Sequence, residues 1–362
     1  MVGSVDGRQP RRRDADRAPA RGGEAGGDRA RRQRPQGPRG GPVPLRSTVD
    51  SGLPRPLAAI AARPRLAALL GATCIAFSGI FYRWAEVSPS TGTVFRALFG
   101  LPLLGLVAWL EHRRYGGLPV RTVRLALLAG VFFAGDLMFW HHAIAYVGAG
   151  LATVLGNLQV IVVGVVAWLA FGERPSRNTF VALPVVLLGV ALISGAIGGR
   201  AFGADPGLGV VFGLATAFCY AGYLLIIRRG GRDLRRPAGP VAVATVSTAA
   251  VAVLVGVIVG DLDPTPAPAS LAWLAILGLT SQSLGYLLIS LSLSRLPAVL
   301  TSIILLAQPV MTVGLGIVLL HEAPTANQLL GVALVIGGIA VATGGGVAAS
   351  RIRRAGQAKA GA

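Results

Sequence analysis

Ten apolar runs follow one another with only short polar breaks between them, and no other feature limits the fold as tightly. They lie at about 65–84, 91–110, 122–146, 149–171, 178–198, 207–227, 239–260, 270–293, 297–320 and 327–348. A helix needs about 20 apolar residues to cross the roughly 30 Å hydrocarbon core of a bilayer, and each run meets that length. The breaks carry Pro, Gly and Arg clusters, among them Arg113 to Pro119, Gly172 to Arg177, Arg228 to Pro237 and Asp261 to Pro268, which are loop sequences. Composition agrees: 53% of the residues are hydrophobic and 14% charged, where soluble domains carry about 25% charged residues. A soluble enzyme is excluded, and an all-α integral membrane protein with ten transmembrane helices is expected.

Arginine placement orients the chain. The net charge of +19 resembles a nucleic-acid signature until the basic residues are located, because 15 of the 34 lie between Arg8 and Arg65. Past that tail, an inside N-terminus puts 16 basic residues on cytoplasmic segments, from Arg113 to Lys359. The outer loops then carry Arg200, with Arg83 at the outer end of the first span. Lysine and arginine accumulate on the cytoplasmic side, so both termini are expected there. Residues 1–62 hold no aromatic residue and no apolar run long enough to bury, cannot offset the entropy of ordering, and are expected to be a disordered basic tail. No signal-peptide core precedes Leu66. The tail reads as a solvated extension, or an over-long gene start, more readily than as an arm on anionic headgroups or RNA. An Ala-, Gly-, Arg- and Pro-rich chain with one lysine suits a high-GC bacterial gene, hence a bacterial inner membrane. Cys74 and Cys219 sit inside apolar runs and read as two separate buried thiols.

The chain also repeats. Between Leu151 and Gly195, nine of 45 positions are identical to those 149 residues later, among them Gln159 with Gln308, Glu173 with Glu322, Pro175 with Pro324, Val186 with Val335 and Gly189 with Gly338. The first and sixth spans align as well, Ala72-Thr73 and Gly79 against Ala215-Thr216 and Gly222. Each copy holds five spans, an odd number, so the second must enter the membrane from the opposite side. Such inverted repeats place a substrate site near the midplane between the halves.

An apolar helix, then Gly172-Glu173-Arg174-Pro175-Ser176, then a Gly- and Ala-rich span resembles the EamA repeat of the drug/metabolite transporter superfamily. The resemblance divides the chain into the tail 1–62, a first repeat 66–199, a second repeat 207–348 and a cytoplasmic C-terminal tail 349–362. It implies that the first four helices of each half surround a central cavity, with the fifth and tenth to one side. It also implies export, less often uptake, of small metabolites such as amino acids, amines or drug-like compounds. Two departures from the family pattern stand out: Gln159-Val160 against Gln308-Pro309, and His321-Glu322 in place of Gly-Glu.

The candidate site residues are polar groups deep in the runs. Asp136, mid-span, is costly to bury, at about 2.5–3.5 kcal/mol on insertion scales, so it should face a cavity or a partner. It is the expected proton-coupling residue and a substrate-binding one; a hydrogen-bonded packing role is the alternative. Trp140, four residues on, shares its helical face. Gln282 and Tyr286 form a similar pair on the eighth span, and ordinary packing competes with substrate contact for both pairs. Asn157, Gln159 and Gln308 stand where the family lines its cavity, or else act as interhelical glue. Arg96 could attract an anion, yet the structural reading, a long stem reaching a polar partner or an outer headgroup, is preferred. Pro184 and Pro309 can kink their spans. Glu173 and Glu322 are expected to accept hydrogen bonds from the first amides of the next helix. The adjacent His141 and His142 point to different faces, so no metal site is expected, and no cofactor.

The expected partners are a small-molecule substrate, the lipid bilayer and protons, with no nucleic acid. A homodimer is compatible with the sequence but not indicated by it. No Gly-x-x-x-x-Gly-Lys loop is present for an ATP-driven pump, and no cluster of nucleophile, acid and base marks a membrane enzyme. A non-transporting sensor or scaffold on the same fold is the competing class.

Overall fold

A computed structural model describes residues 63–171, 177–199, 201–230, 236–293, 305 and 307–341. The expected disorder of the N-terminal tail, the C-terminal tail and the role of Glu173 lie outside these residues. Among the described residues the chain is helical, with no strand. The helices are α1 (Pro64–Ala76), α2 (Ser78–Ala85), α3 (Pro89–Tyr115), α4 (Val120–Gly156), α5 (Gln159–Phe171), α6 (Arg177–Ile193), α7 (Pro206–Gly230) and α8 (Ala238–Val259). There follow α9 (Pro268–Leu277), a π-helical segment (Gly278–Gly285), α10 (Tyr286–Leu293), α11 (Ala307–Leu319) and α12 (Ala326–Val341). Among the described residues six stretches are long and apolar enough to cross a bilayer, and three shorter apolar helices accompany them.

Local chemistry sets the helix ends. Proline occupies the first turn of α1, α3 and α9, where its missing N–H costs nothing. Ser88 caps α3 by accepting from the Thr91 amide at 3.3 Å, and Asp205 accepts from the Leu208 amide at 2.9 Å in the first turn of α7. Before α12, Thr325 and Gln328 form a capping box, each accepting from the other's amide at 3.3 and 3.0 Å. Gly116 and Gly260 end α3 and α8 with φ of 79° and 78°, a region glycine enters without strain.

At 37 residues, α4 would run about 55 Å if straight, well past one bilayer core. It breaks instead at Gly148, whose φ of 84° and ψ of 167° are non-helical. A side chain there would meet Glu322, since an added Cβ would lie 2.7 Å from the carboxyl carbon. The Glu322 carboxylate accepts from the Ala149 amide at 2.5 Å and the Gly150 amide at 3.2 Å. Glu322 was expected to serve the next helix in sequence. It instead satisfies the orphan amides of a helix start in the other half, because folding brings the α11–α12 turn over the Gly148 break.

The two copies pack head to tail. Glu111, near the C-terminal end of α3, accepts from the Ala238 and Gly239 amides at the start of α8, at 2.9 and 2.8 Å. Asp261, just past the end of α8, accepts from the Ser90 amide at the start of α3 at 3.3 Å. The end of each helix therefore meets the beginning of its counterpart, which requires the pair to run antiparallel. Helices α6 and α12 behave alike. Gly189 lies against the Gly331 carbonyl and Val335, while Gly338 lies against Val186 and the Ala182 carbonyl. The Val and Gly that recur at an offset of 149 residues are thus the two sides of one reciprocal contact. Away from these contacts the helices expose leucine, valine and isoleucine, with Ile258 74% and Val318 68% accessible, a surface suited to lipid tails.

Candidate functional site

Between the halves lies a small polar cavity, open at its mouth. Helix α4 supplies Asp136, Leu137 and Trp140 from before the Gly148 break, and Thr153 and Gly156 from after it, with Asn157 beyond its end. Ile75 and Ser78 come from the first span, Arg96 from α3, and Thr216 and Tyr220 from α7. Tyr286 of α10 and Gln308 of α11 complete the wall. None of the lining residues belongs to α6 or α12, the fifth and tenth helical runs that the family resemblance sets to one side.

Five of the seven expected site residues thus line one space: Asp136, Trp140, Asn157, Tyr286 and Gln308. The other two do not. Gln282 is fully buried beneath the cavity wall, where its Oε1 accepts from Arg96 Nε at 3.0 Å and its Nε2 donates to Thr245 Oγ1 at 3.3 Å. Gln159 lies off the wall, with a buried Oε1 that has no hydrogen-bond partner. The repeat pairs Gln159 with Gln308 by position, and of the two only Gln308 borders the cavity.

Arg96 meets a polar partner, one of the two ends expected of its long stem, and not the headgroup. It neither reaches a headgroup nor lies at the lipid boundary; it is 2% exposed and part of the cavity wall. Its stem is too deep in α3 for the guanidinium to escape, so Gln282 takes Nε while the Trp140 ring sits 5.8 Å from the guanidinium carbon. Its Nη1 is buried with no hydrogen-bond partner. Asp136, 7% exposed, lines the same space. An arginine in the middle of an apolar run was the available signal. Thr216 and Tyr220 were also legible, four residues apart and so on one face of the sixth span.

The ground below Gln282 explains its orientation. Residues 278–285 are wound as a π-helix, a form often found at functional sites. Ser283 Oγ donates to the Gly278 carbonyl at 3.0 Å and to the Gly100 carbonyl of α3 at 2.7 Å. Gly278 and Gly100 permit this approach: a Cβ on Gly278 would stand 2.7 Å from the Phe99 Cβ, and one on Gly100 2.7 Å from the Gln282 Cγ.

His141 is also fully buried, stacked on Tyr82 with ring centroids 3.8 Å apart, its Nδ1 3.2 Å from both Thr93 Oγ1 and the Pro89 carbonyl. His142 faces elsewhere, with Nδ1 2.8 Å from the Met138 carbonyl and its ring stacked on Phe212. Among the described residues no group of three His, Cys, Asp or Glu side chains could hold a metal ion. Cys74 and Cys219 are unpaired and half-buried.

Two related helical copies packed head to tail around a polar cavity, with an apolar outer surface, define a multi-pass membrane protein of the transporter type. The sequence matches the EamA-like transporter family over residues 64–195 and 207–344, one match per copy, and the chain belongs to that family. It is 28% identical over 263 residues to the uncharacterized transporter sll1319 of Synechocystis sp. (strain ATCC 27184 / PCC 6803 / Kazusa), covering 68% of this chain and 77% of that one. It is 25% identical over 262 residues to the uncharacterized transporter YwfM of Bacillus subtilis (strain 168), covering 71% and 84%. A protein of known crystal structure shares the fold with a TM-score of 0.55 at 22% identity, over 78% of this chain and 98% of that one.

Proposed function

We propose that this protein is a ten-span secondary transporter of the bacterial inner membrane, with both termini cytoplasmic, that exports a small metabolite by alternating access. In this reading Asp136 carries the proton that couples flux to the membrane gradient. The observation that carries it is a buried carboxylate in a cavity walled by both copies, where an inverted-repeat carrier holds its substrate. Ten crossings follow if the stretch broken at Gly148 passes twice and the three shorter apolar helices each pass once. Cytoplasmic termini rest on the arginine asymmetry of the loops. Rocking one copy against the other exposes the cavity to each side in turn, and the small-residue contact between α6 and α12 leaves close-packed surfaces on which such motion can slide.

Counterflow uptake by purified protein in proteoliposomes, using pooled labelled metabolites with and without a pH gradient, tests the reading. Accumulation that the gradient enhances and that Asp136→Asn abolishes is expected. Flux of unchanged rate and unchanged pH dependence in Asp136→Asn refutes the coupling role. Absence of flux for every pool, by protein that is folded, favours a sensor or scaffold on the same fold.

A further inference from the structure

The α11–α12 turn of the second copy reaches the first copy through one carboxylate. Glu322 is 9% exposed and accepts from the Ala149 and Gly150 amides, the first of α4 after the Gly148 break. Three glycines make its seat. An added Cβ would lie 2.7 Å from the carboxyl carbon at Gly148 and 3.3 Å from Oε2 at Gly150, and one on Gly316 would overlap Oε2. The backbone that delivers the carboxylate is fixed as well. The Leu320 and Glu322 amides both donate to the Gly316 carbonyl at 3.1 Å, and His321 between them holds a φ of 55°, a region that residues other than glycine enter uncommonly.

The place of this contact relative to the cavity gives it a consequence. Helix α4 lines the cavity through Thr153 and Gly156, and α11 lines it through Gln308. Beyond the cavity, toward the turn, the two helices meet: an added Cβ on Gly150 would lie 2.9 Å from the Val313 Cα. Val147, Ala149, Leu151, Val210 and Val313 are buried there in one apolar cluster, and none of the five lines the cavity. That end is closed by aliphatic packing, which has no direction and tolerates sliding, and by the Glu322 hydrogen bonds, which are directional and charge-assisted.

We infer that Glu322 is a latch: its bonds to the α4 amides hold α11 against α4 and close the cavity on the side of the α11–α12 turn, and access from that side requires those bonds to break. This rests on the cavity being the site of an alternating-access carrier. Opening that end parts α4 from α11, and the freed carboxylate and amides exchange one another for water at the rim. Glu322 does not line the cavity, so it is a positioning residue and not a substrate ligand.

The test reads access to the cavity and needs no substrate. Full-length protein carrying Cys74→Ala and Cys219→Ala receives one thiol in the cavity wall, Ser78→Cys, and is labelled with a membrane-impermeant maleimide in right-side-out and in inside-out membrane vesicles. The side of the turn is the one from which Ala323→Cys, at an exposed position of the turn, is labelled. From that side the cavity thiol is expected to react slowly with Glu322 in place and at least about fivefold faster in Glu322→Gln, which gives up the charge and one acceptor oxygen. Gly316→Ala is expected to act alike with the carboxylate intact, because its methyl group takes the carboxylate's seat. Alanine also favours the helix over glycine, so this variant keeps the test decisive if Glu322→Gln does not fold. A merely structural Glu322 leaves the cavity thiol at its original rate. Unchanged labelling from the turn side in both folded variants overturns the inference, as does labelling of the cavity thiol with Glu322 in place that is as fast from the turn side as from the other. Faster labelling in the variants without flux in the counterflow assay would sink the transport reading and spare the latch; flux with unchanged labelling would do the reverse.

Discussion

The third and eighth spans hold equivalent places in the two copies, and each carries a polar residue followed four positions later by an aromatic one. In the third span the backbone is regular α-helix from Val120 to the Gly148 break, so Asp136 and Trp140 both face the cavity. In the eighth the chain is π-helical over Gly278–Gly285. Tyr286 reaches the cavity and Gln282 does not; it turns toward α3 and fastens Arg96. The same spacing in sequence therefore yields a direct cavity contact in one copy and a support behind the wall in the other.

Substitutions at the matched positions test that difference. The largest separation is expected between Asp136→Asn and Gln282→Asn. The first should reduce gradient-driven accumulation more than tenfold with the thermal midpoint in detergent nearly unchanged, because it removes the cavity's carboxylate. The second should lower the thermal midpoint and raise KM, with kcat less affected, because it withdraws the acceptor from Arg96 Nε at a cost of about 1–3 kcal/mol. Equal flux defects without any loss of stability in Gln282→Asn would place both residues in the same role and break the comparison.

A smaller effect separates the glycines of the two spans. Gly278→Val is expected to destabilise by about 1–3 kcal/mol through overpacking, because its side chain meets backbone and Cβ atoms of α3 that cannot retreat. Gly135→Ala in the third span should cost less, since its Cβ meets the Cys219 Sγ at 3.0 Å, a side-chain atom that can shift. Chemical denaturation followed by tryptophan emission ranks the two, and a Gly135 variant as damaged as the Gly278 one would show that α3 approaches neither span specially.

The mildest contrast is between the glutamine mates. Gln308→Leu should weaken substrate binding several-fold, as one wall contact is lost. Gln159→Leu should leave transport unchanged and stability equal or slightly improved, because the residue gives up a buried oxygen that has no partner. A transport loss in Gln159→Leu as large as in Gln308→Leu would restore the symmetric role that the repeat suggests for them.

Much of the membrane fold was legible in the residues. The apolar runs, the recurrent Val-x-x-Gly of α6 and α12, and the isolated Asp136 all express costs that act locally: hydrocarbon length, backbone approach and burial of charge. The reciprocal capping was less legible. That Glu111 serves α8 and Asp261 serves α3 depends on which helix ends meet, and each carboxylate taken alone reads as a loop charge. Arg96 was half legible for a related reason: a polar partner was among its expected ends, but the identity of that partner was not. A long cationic side chain near the start of a span usually finds the interface, and only the arrival of Gln282 from nearly two hundred residues away makes a buried position tolerable.

By itself, then, the sequence determined that the chain crosses a membrane many times as two related halves, because the cost of placing polar backbone and charge in hydrocarbon is paid residue by residue and leaves a periodic trace. The tertiary structure alone decided which polar groups look into the cavity and which stand behind it. That choice turns on which helices meet, as where Gln282 turns to Arg96 and Gly100 and Gly278 admit a close approach, and such contacts across the fold are not encoded in spacing along the chain.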